Sequence, residues 1–116
     1  PLACAAALAS LKVITGKGFL KKASETGAYF FECLQKLAHQ HSTIKDVRGK
    51  GMILAIELDK PGAQVVLDCM EKGFLVNCIQ QNVLRFLPPL NISRKDISAL
   101  MPVLSESLLR LSENKL

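Results

Sequence analysis

The sequence predicts an α+β fold, in which helices cover a small, mostly antiparallel sheet of about four strands. Apolar residues recur at helical spacing near both ends of the chain, whereas short apolar runs bounded by Gly, Pro or Asn occupy its middle. The chain has 116 residues, of which 49% are hydrophobic, so it can bury one modest core and not two.

The first helix is expected from Pro1 to Ile14, because alanine and leucine dominate this segment and Pro1 suits a first helical position. Only Ser10 and Lys12 interrupt its apolar surface, so the helix must be buried on most sides. A small domain cannot surround its own terminal helix. We therefore expect a self-associating chain or, as the missing initiator Met favours, the tail of a larger protein.

The second helix is expected from about Phe19 to His39, after a break at Gly16 and Gly18. At its end, His39 and His41 are interpreted as cationic groups that face the helix dipole rather than as catalytic residues. The predicted buried face consists of Leu20, Ala23, Gly27, Phe30, Leu34, Leu37 and Ala38.

A β-hairpin should follow, with strands over residues 44–48 and 52–58. Gly49-Lys50-Gly51 forms its turn and lacks the spacing of a Walker phosphate loop, so its glycines are interpreted as requirements of the backbone. Glu57 is the one charged residue on the second strand and is expected near its exposed end.

A short helix should come next, opened by Pro61 and closed by Gly73, because proline is common at helix starts and glycine at helix ends. A third strand is expected over residues 74–78, and a turn over residues 80–82. The buried stripe of the short helix is predicted to be Ala63, Val66, Leu67 and Met70.

The fourth strand carries the candidate site residue, Arg85, in an apolar run that leads into Pro88 and Pro89. Side chains alternate along a strand, so Arg85 should share a face with Val83 and Leu87. Because proline cannot donate to a ladder, pairing should end at Leu87. A permanently charged, planar guanidinium in apolar surroundings suits a carboxylate ligand. Alternatively, Arg85 is half of a structural ion pair, or it lies on an edge strand; either would account for an arginine in this apolar run.

The last helix is expected to begin at Ser93, where Asp96 completes a variant of the capping box. Pro102 interrupts the helical pattern, removes the hydrogen bond to Ser98 and should kink the helix. One face of this helix is apolar and consists of Ile97, Leu100, Met101, Leu104, Leu108 and Leu111.

Composition excludes several classes of protein. Aromatic residues make up 5% of the chain and the net charge of +5 is dispersed, which argues against a nucleic-acid partner. The four cysteines form no C-x-x-C pair and are not clustered with the two histidines, so no metal is expected. Their apolar company is typical of reduced, buried thiols in a cytoplasmic protein. No apolar run is long enough to span a membrane, and the first residues lack a basic signal-peptide region.

The chain resembles, over essentially its whole length, the C-terminal part of the class III, pyridoxal-phosphate-dependent aminotransferases. This resemblance implies the C-terminal domain of a fold-type I transferase, with residues 1–16 as a helix linking to an absent large domain and residues 17–116 as the small domain. Pro102 departs from the usual last helix of the family. The segments that carry the resemblance are residues 1–9, Asp46-Val47-Arg48-Gly49-Lys50-Gly51, Val76-Asn77 and Leu84-Arg85-Phe86-Leu87-Pro88-Pro89-Leu90.

The resemblance also implies a role for Arg85, because the matching arginine of the family grips the α-carboxylate of the amino-acid donor and of 2-oxoglutarate. The implied reaction moves an amino group from N2-acetylornithine to 2-oxoglutarate in arginine biosynthesis, and ornithine, succinylornithine and 4-aminobutyrate are alternative donors. Pyridoxal 5′-phosphate would be held by residues before Pro1, so this chain alone should be inactive. The whole protein is expected to be a homodimer in the cytoplasm.

Two hypotheses from other classes stand beside this one. The chain could be a non-enzymatic module that oligomerises through its first helix. It could also be a basic RNA-binding domain, but its predicted sheet lacks the paired exposed aromatics that base stacking requires. Both explain fewer of the residues than the aminotransferase hypothesis.

Overall fold

The computed structural model describes residues 1–113, which form four helices and one sheet of four strands. The strands pair antiparallel in the order β1-β2-β4-β3, so the predicted α+β class is confirmed. The elements are α1 (Leu2–Ile14), α2 (Phe19–Gln40), β1 (Ile44–Lys50), β2 (Ile53–Leu58), α3 (Ala63–Glu71), β3 (Asn77–Ile79), β4 (Val83–Phe86) and α4 (Arg94–Glu113).

β1 and β2 form the predicted hairpin, but the turn lies later in the chain than expected. β1 continues through Lys50, which pairs with Ile53, and the turn is made by Gly51 and Met52. The φ angles are 60° at Gly51 and 153° at Gly49, values that residues with a side chain rarely adopt. The prediction that both glycines are required by the backbone is confirmed.

β3 begins at Asn77 rather than at the predicted Phe74. Asn77 pairs with Arg85, and β4 ends one residue later at Phe86. Pro88 follows closely and has no N–H group to donate. The ladder therefore stops one residue short of the predicted Leu87.

The core lies between one face of the sheet and the three helices α2, α3 and α4. Phe30 of α2 meets Phe86 of β4 with ring centroids 5.4 Å apart and an interplanar angle of 65°, which is the favoured edge-to-face arrangement. The largest fully buried side chains are Phe30, Leu34, Leu54, Ile56, Leu58, Leu84, Ile97, Leu104, Leu108, Val65 and Cys69.

The predicted buried face of α2 is confirmed except at its two ends, where Leu20 is exposed and Ala38 is half-buried. Gly27 on this face touches the β1–β2 turn. A methyl group added at Gly27 would lie 2.5 Å from the backbone oxygen of Gly51. The helix and the hairpin can therefore pack this closely only because position 27 has no side chain.

The predicted buried stripe of α3 is wrong. Val65 and Cys69 face the core, whereas Ala63, Leu67 and Met70 are exposed and Val66 is half-buried. α3 has apolar residues on more than one side, and its contact with α4 decides which side is buried. In that contact the Ser107 hydroxyl donates a hydrogen bond to Asp68, which lies one position before Cys69.

The cysteines are less buried than predicted, whereas both histidines lie at the end of α2 as predicted. Only Cys69 is fully buried; Cys33 and Cys78 are half-buried, and Cys4 is exposed. His39 lies in the last turn of α2 as expected. His41 is 6% exposed, and its Nε2 atom is 2.8 Å from Ser105 Oγ. His41 is the C-cap residue of α2, as expected, and its ring also joins the end of this helix to α4.

α4 begins with the predicted capping box. The Ser93 backbone N–H donates to Asp96 Oδ2 over 3.2 Å, and the Asp96 N–H donates to Ser93 Oγ over 3.2 Å. The Ser93 hydroxyl also donates to Asp96 Oδ2; this bond and, second to it, the bond from the Ser93 backbone N–H hold the pKa of Asp96 below its ordinary value. Pro102 is exposed inside α4, and the element continues as one helix to Glu113.

α1 packs against the rest of the chain over very little of its length. Twelve of its thirteen residues are exposed and only Ile14 is half-buried. Its exposed large side chains are Leu2, Leu8, Leu11 and Val13. Within residues 1–113, no single helix has the length and apolar composition to cross a membrane; α1 and α2 meet that criterion only together, as a pair bent by 70°.

Candidate carboxylate-binding site

Arg85 lies in the interior of the sheet, on β4, which is flanked by β2 and β3. Its neighbours Leu84 and Phe86 belong to the core, so alternation directs Arg85 to the opposite face. Val83 shares that face, since it is 3% exposed but lies outside the core cluster. The prediction that Arg85 and Val83 share a face is confirmed. Leu87 follows the end of the strand and is 57% exposed.

We call the side of the sheet that bears Arg85 the arginine face, and the strand register places its residues in rows. Residues paired directly across antiparallel strands point to the same side of the sheet. One row consists of Arg48, Ala55, Arg85 and Asn77, and the next of Asp46, Glu57, Val83 and Ile79. No aromatic residue occurs in these two rows, so they offer no surface for stacking bases.

Arg48, in the same row as Arg85, is neutralised by two carboxylates of the arginine face. Its Nη1 atom lies 2.8 Å from Asp46 Oδ2 and 2.6 Å from Glu57 Oε2. Hydrogen bonds to Asp46 and then to Glu57 raise the pKa of Arg48 above its ordinary value. The three side chains are exposed to solvent, so the cluster contributes little stability. The guanidinium of Arg48 is nevertheless paired within the chain, with Asp46 and Glu57.

Arg85, in contrast, has no ion-pair or hydrogen-bond partner among residues 1–113. Among residues 1–113, its Nε is the single buried side-chain nitrogen or oxygen without a hydrogen-bond partner. An unpaired buried donor costs about 1–3 kcal/mol, and more when it is charged. The alternative that Arg85 is half of a structural ion pair therefore finds no support among the described residues. A ligand that accepted a hydrogen bond from this donor would remove that cost.

The chemistry open to Arg85 is binding and orientation rather than proton transfer. A guanidinium stays protonated and presents its donors in a planar fork, which matches the two oxygens of a carboxylate. Arg85 is half-buried among short or apolar neighbours in its own and the adjacent rows, namely Ala55, Val83 and Ile79. Partial exclusion of water strengthens a charge-assisted hydrogen bond at this position.

The described residues do not fit the anchor of a pyridoxal phosphate cofactor. That cofactor is held by a lysine in Schiff-base linkage, which requires an enclosed amine. Every described lysine is exposed except Lys60, which is half-buried and donates to the carbonyl of Leu111 over 2.9 Å. The described residues also contain no group of three or more His, Cys, Asp or Glu placed to hold a metal ion.

The neighbours of Arg85 are not singled out by the sequence, although one signal could have found Asn77. The turn at residues 80–82 separates β3 from β4, and counting outwards from it pairs Ile79 with Val83 and Asn77 with Arg85. Ala55 and Arg48 are placed in the row of Arg85 by the pairing of β2 with β4. In the sequence, α3 and β3 lie between these two strands. No local pattern fixes that register.

The family model and two relatives that match this chain are all aminotransferases. A family model described as aminotransferase class-III matches residues 1–108. An acetylornithine aminotransferase of Methanocaldococcus jannaschii is 46% identical over 106 residues, which cover 91% of this chain and 27% of that protein. The corresponding protein of Caldanaerobacter subterraneus is 40% identical over 109 residues, which cover 93% of this chain and 28% of that protein.

Solved structures agree with these sequence relationships. The acetylornithine aminotransferase of Elizabethkingia anophelis superposes with a TM-score of 0.84 at 29% identity, over 95% of this chain and 30% of that one. An ornithine aminotransferase of Toxoplasma gondii gives a TM-score of 0.85 at 31% identity, over 99% of this chain and 28% of that one. The chain therefore spans less than a third of the length of each of these four proteins.

Proposed function

The chain belongs to the class-III aminotransferase family, and from that premise we propose that it is the small domain that binds a substrate carboxylate in a larger aminotransferase. The observation that carries the proposal is the buried Nε of Arg85, which has no partner among the described residues. In this proposal residues 1–16 link to the large domain and residues 17–116 form the small one. The exposed apolar surface of α1 supports this division.

The proposed reaction transfers an amino group from N2-acetylornithine to 2-oxoglutarate, as expected for arginine biosynthesis. Its support is that the relatives with 40–46% identity are acetylornithine aminotransferases. Ornithine, succinylornithine and 4-aminobutyrate remain alternative donors. The resemblance supports a homodimer as the full-length protein, and the free cysteines are compatible with a reducing compartment such as the cytoplasm.

The chemistry of the two substrates restricts what Arg85 can do. In 2-oxoglutarate one carboxylate is bonded to the reacting carbonyl carbon, so gripping it fixes that carbon. In N2-acetylornithine the amino group on N2 is acylated, and the free amino group lies at the other end of the molecule from the α-carboxylate. Arg85 can therefore orient the reacting carbon of 2-oxoglutarate but not that of this donor.

The part played by this chain is orientation. Arg85 would hold the carboxylate in a fixed plane, which lowers the entropy cost of bringing the keto group to the reacting position. Arg48 stays paired with Asp46 and Glu57, so a single guanidinium on the arginine face is available to the substrate. Pyridoxal phosphate supplies the electron sink of the family's reaction, and its anchor would come from outside the described residues.

Substitution of Arg85 in the complete protein encoded by the gene tests this proposal. Arg85→Lys keeps the charge but loses the planar fork, so the KM for 2-oxoglutarate should rise about 10–150-fold, from the loss of about 1.5–3 kcal/mol. The KM for N2-acetylornithine should rise as well if the same guanidinium also grips the α-carboxylate of this donor. Arg110→Lys is the matched control, because Arg110 pairs with Glu106 on the exposed side of α4.

Visible absorption with added pyridoxal phosphate tests the larger claim. The complete protein should develop the band of the bound cofactor, and N2-acetylornithine should diminish that band. If the complete protein binds the cofactor and transfers amino groups but Arg85→Lys leaves both KM values unchanged, the role of Arg85 is wrong. If it neither binds the cofactor nor transfers amino groups, the enzyme proposal fails and a self-associating module becomes the leading hypothesis.

A further inference from the structure

Asn77 lies directly across the sheet from Arg85, as the first residue of the edge strand β3. Paired residues of antiparallel strands place their Cβ atoms about 4.5–5.5 Å apart on the same side of the sheet. The next residue, Cys78, points to the other side of the sheet, where α3 packs. A methyl group added at Gly62, the N-cap residue of α3, would lie 3.1 Å from Cys78 Sγ. Asn77 therefore belongs to the arginine face, immediately beside Arg85.

The Asn77 carboxamide also has no hydrogen-bond partner among residues 1–113, and the residue is exposed. On the other flank of Arg85, Ala55 has only a methyl group to offer. Arg48 is held by Asp46 and Glu57. Asn77 is thus the one described residue of this row, besides Arg85, that has hydrogen-bonding groups free for a ligand.

We propose that Asn77 is a second carboxylate-binding residue, whose Nδ2 donates a hydrogen bond to the carboxylate that Arg85 holds; the inference rests on the function proposed above. A carboxylate has about four lone-pair positions, and a bidentate guanidinium uses two of them. A neutral donor at the side satisfies a third without repelling the arginine. The pair would select a carboxylate over a phosphate, which carries more charge and calls for more cationic partners.

An isosteric substitution gives the sharpest test. In Asn77→Asp the donor becomes a carboxylate, which repels the substrate and forms an ion pair with Arg85. The KM for 2-oxoglutarate should then rise about 30-fold or more, and about 3–10-fold in Asn77→Ala, which loses one hydrogen bond to a charged group. The kcat should fall less than the KM rises. Asn91→Asp introduces the same change on an exposed turn and should leave both constants unchanged.

Two further readouts separate binding from a structural role. Butanal, an acceptor without a carboxylate, should react with wild type and with Asn77→Asp at rates within about threefold, because no charged hydrogen bond is lost. The midpoint of thermal unfolding should also agree between the two proteins, since Asn77 is exposed. An equal loss of activity with butanal and 2-oxoglutarate would instead assign Asn77 a structural role and overturn the inference.

The failure of this inference can be told apart from the failure of the proposed function. If Arg85→Lys raises the KM for 2-oxoglutarate and Asn77→Asp does not, Asn77 does not contact the carboxylate, and the proposed function stands. If neither variant changes the KM in an active enzyme, the carboxylate site lies elsewhere and both proposals fail. A raised KM in Arg85→Lys and in Asn77→Ala, with activity towards butanal retained, supports both.

Discussion

At the scale of single residues, Asp68 shows how a polar contact can hold two helices in register. It accepts hydrogen bonds from the Ser107 hydroxyl of α4 and from the Gln64 amide of its own helix, the latter over 2.9 Å. Both bonds favour the ionised carboxylate and lower the pKa of Asp68 below its ordinary value, with Ser107 as the larger cause. The contact turns Val65 and Cys69 towards the core.

The lowered pKa of Asp68 predicts an acid-dependent loss of stability. An aspartate whose pKa falls on folding stabilises the fold above its unfolded value of 3.8, and this contribution is lost as pH falls through the folded pKa. The thermal midpoint of the chain should exceed that of Asp68→Asn at neutral pH, and the difference should shrink below pH 3.8. Circular dichroism measures both midpoints.

Ser107→Ala provides the matched variant for this experiment. It leaves the carboxylate in place but removes the hydrogen bond that contributes most to the lowered pKa of Asp68. Its midpoint should therefore show a weaker dependence on acid than that of wild type. A difference between wild type and Asp68→Asn that stays constant through the acid range would contradict the assignment.

At the scale of elements, the approach of α2 to the β1–β2 turn depends on Gly27. A glycine inside a helix normally costs about 1 kcal/mol relative to alanine. An alanine at position 27 would therefore stabilise the helix if there were space for its methyl group. A methyl group there would lie 2.5 Å from the Gly51 carbonyl oxygen and 2.9 Å from its carbon. These are backbone atoms, which cannot move without displacing the hairpin.

Gly27→Ala should therefore destabilise the chain. Overpacking costs about 1–3 kcal/mol or more, which exceeds the gain of about 1 kcal/mol in helix propensity. Chemical denaturation would measure the net loss as a lower midpoint. Ser24→Ala is the control on an exposed position of the same helix and should be neutral or slightly stabilising. A Gly27→Ala protein as stable as wild type would show that the hairpin can shift.

At the scale of the whole molecule, α1 determines the shape and the surface chemistry. The described chain extends 55 Å in its longest direction but only 27 and 23 Å in the others. α1 carries exposed leucines along its length, an arrangement that isolated soluble domains normally avoid. Its large apolar side chains gain free energy only when another surface covers them.

The isolated 116-residue chain should consequently self-associate through α1. Combining Leu8→Glu with Leu11→Glu should produce a monomer, because the two charges cannot be buried without partners. Ser10→Glu combined with Lys12→Glu is the control, since it adds charge at positions that are already polar. Sedimentation velocity distinguishes the species. A wild-type chain that stays monomeric at high micromolar concentration would contradict this expectation.

Much of the fold is determined by the sequence alone, because local patterns are sufficient for it. Helical spacing, the capping box at Ser93 and the glycines of the hairpin turn predict the element types and the α+β class. Alternation along β4 places Arg85 opposite the core residues Leu84 and Phe86. Each of these features depends on residues that are near neighbours in the chain, so no knowledge of distant contacts is required.

Tertiary structure alone decided which face of α3 is buried, where β3 begins and which residues stand beside Arg85. α3 has apolar residues on several sides, and its contact with α4 selects Val65 and Cys69. The register of β2 against β4 brings Ala55 to Arg85. The missing partner of Arg85 Nε is likewise visible only once every neighbour is placed. Such features depend on groups that are far apart in sequence, which local patterns do not encode.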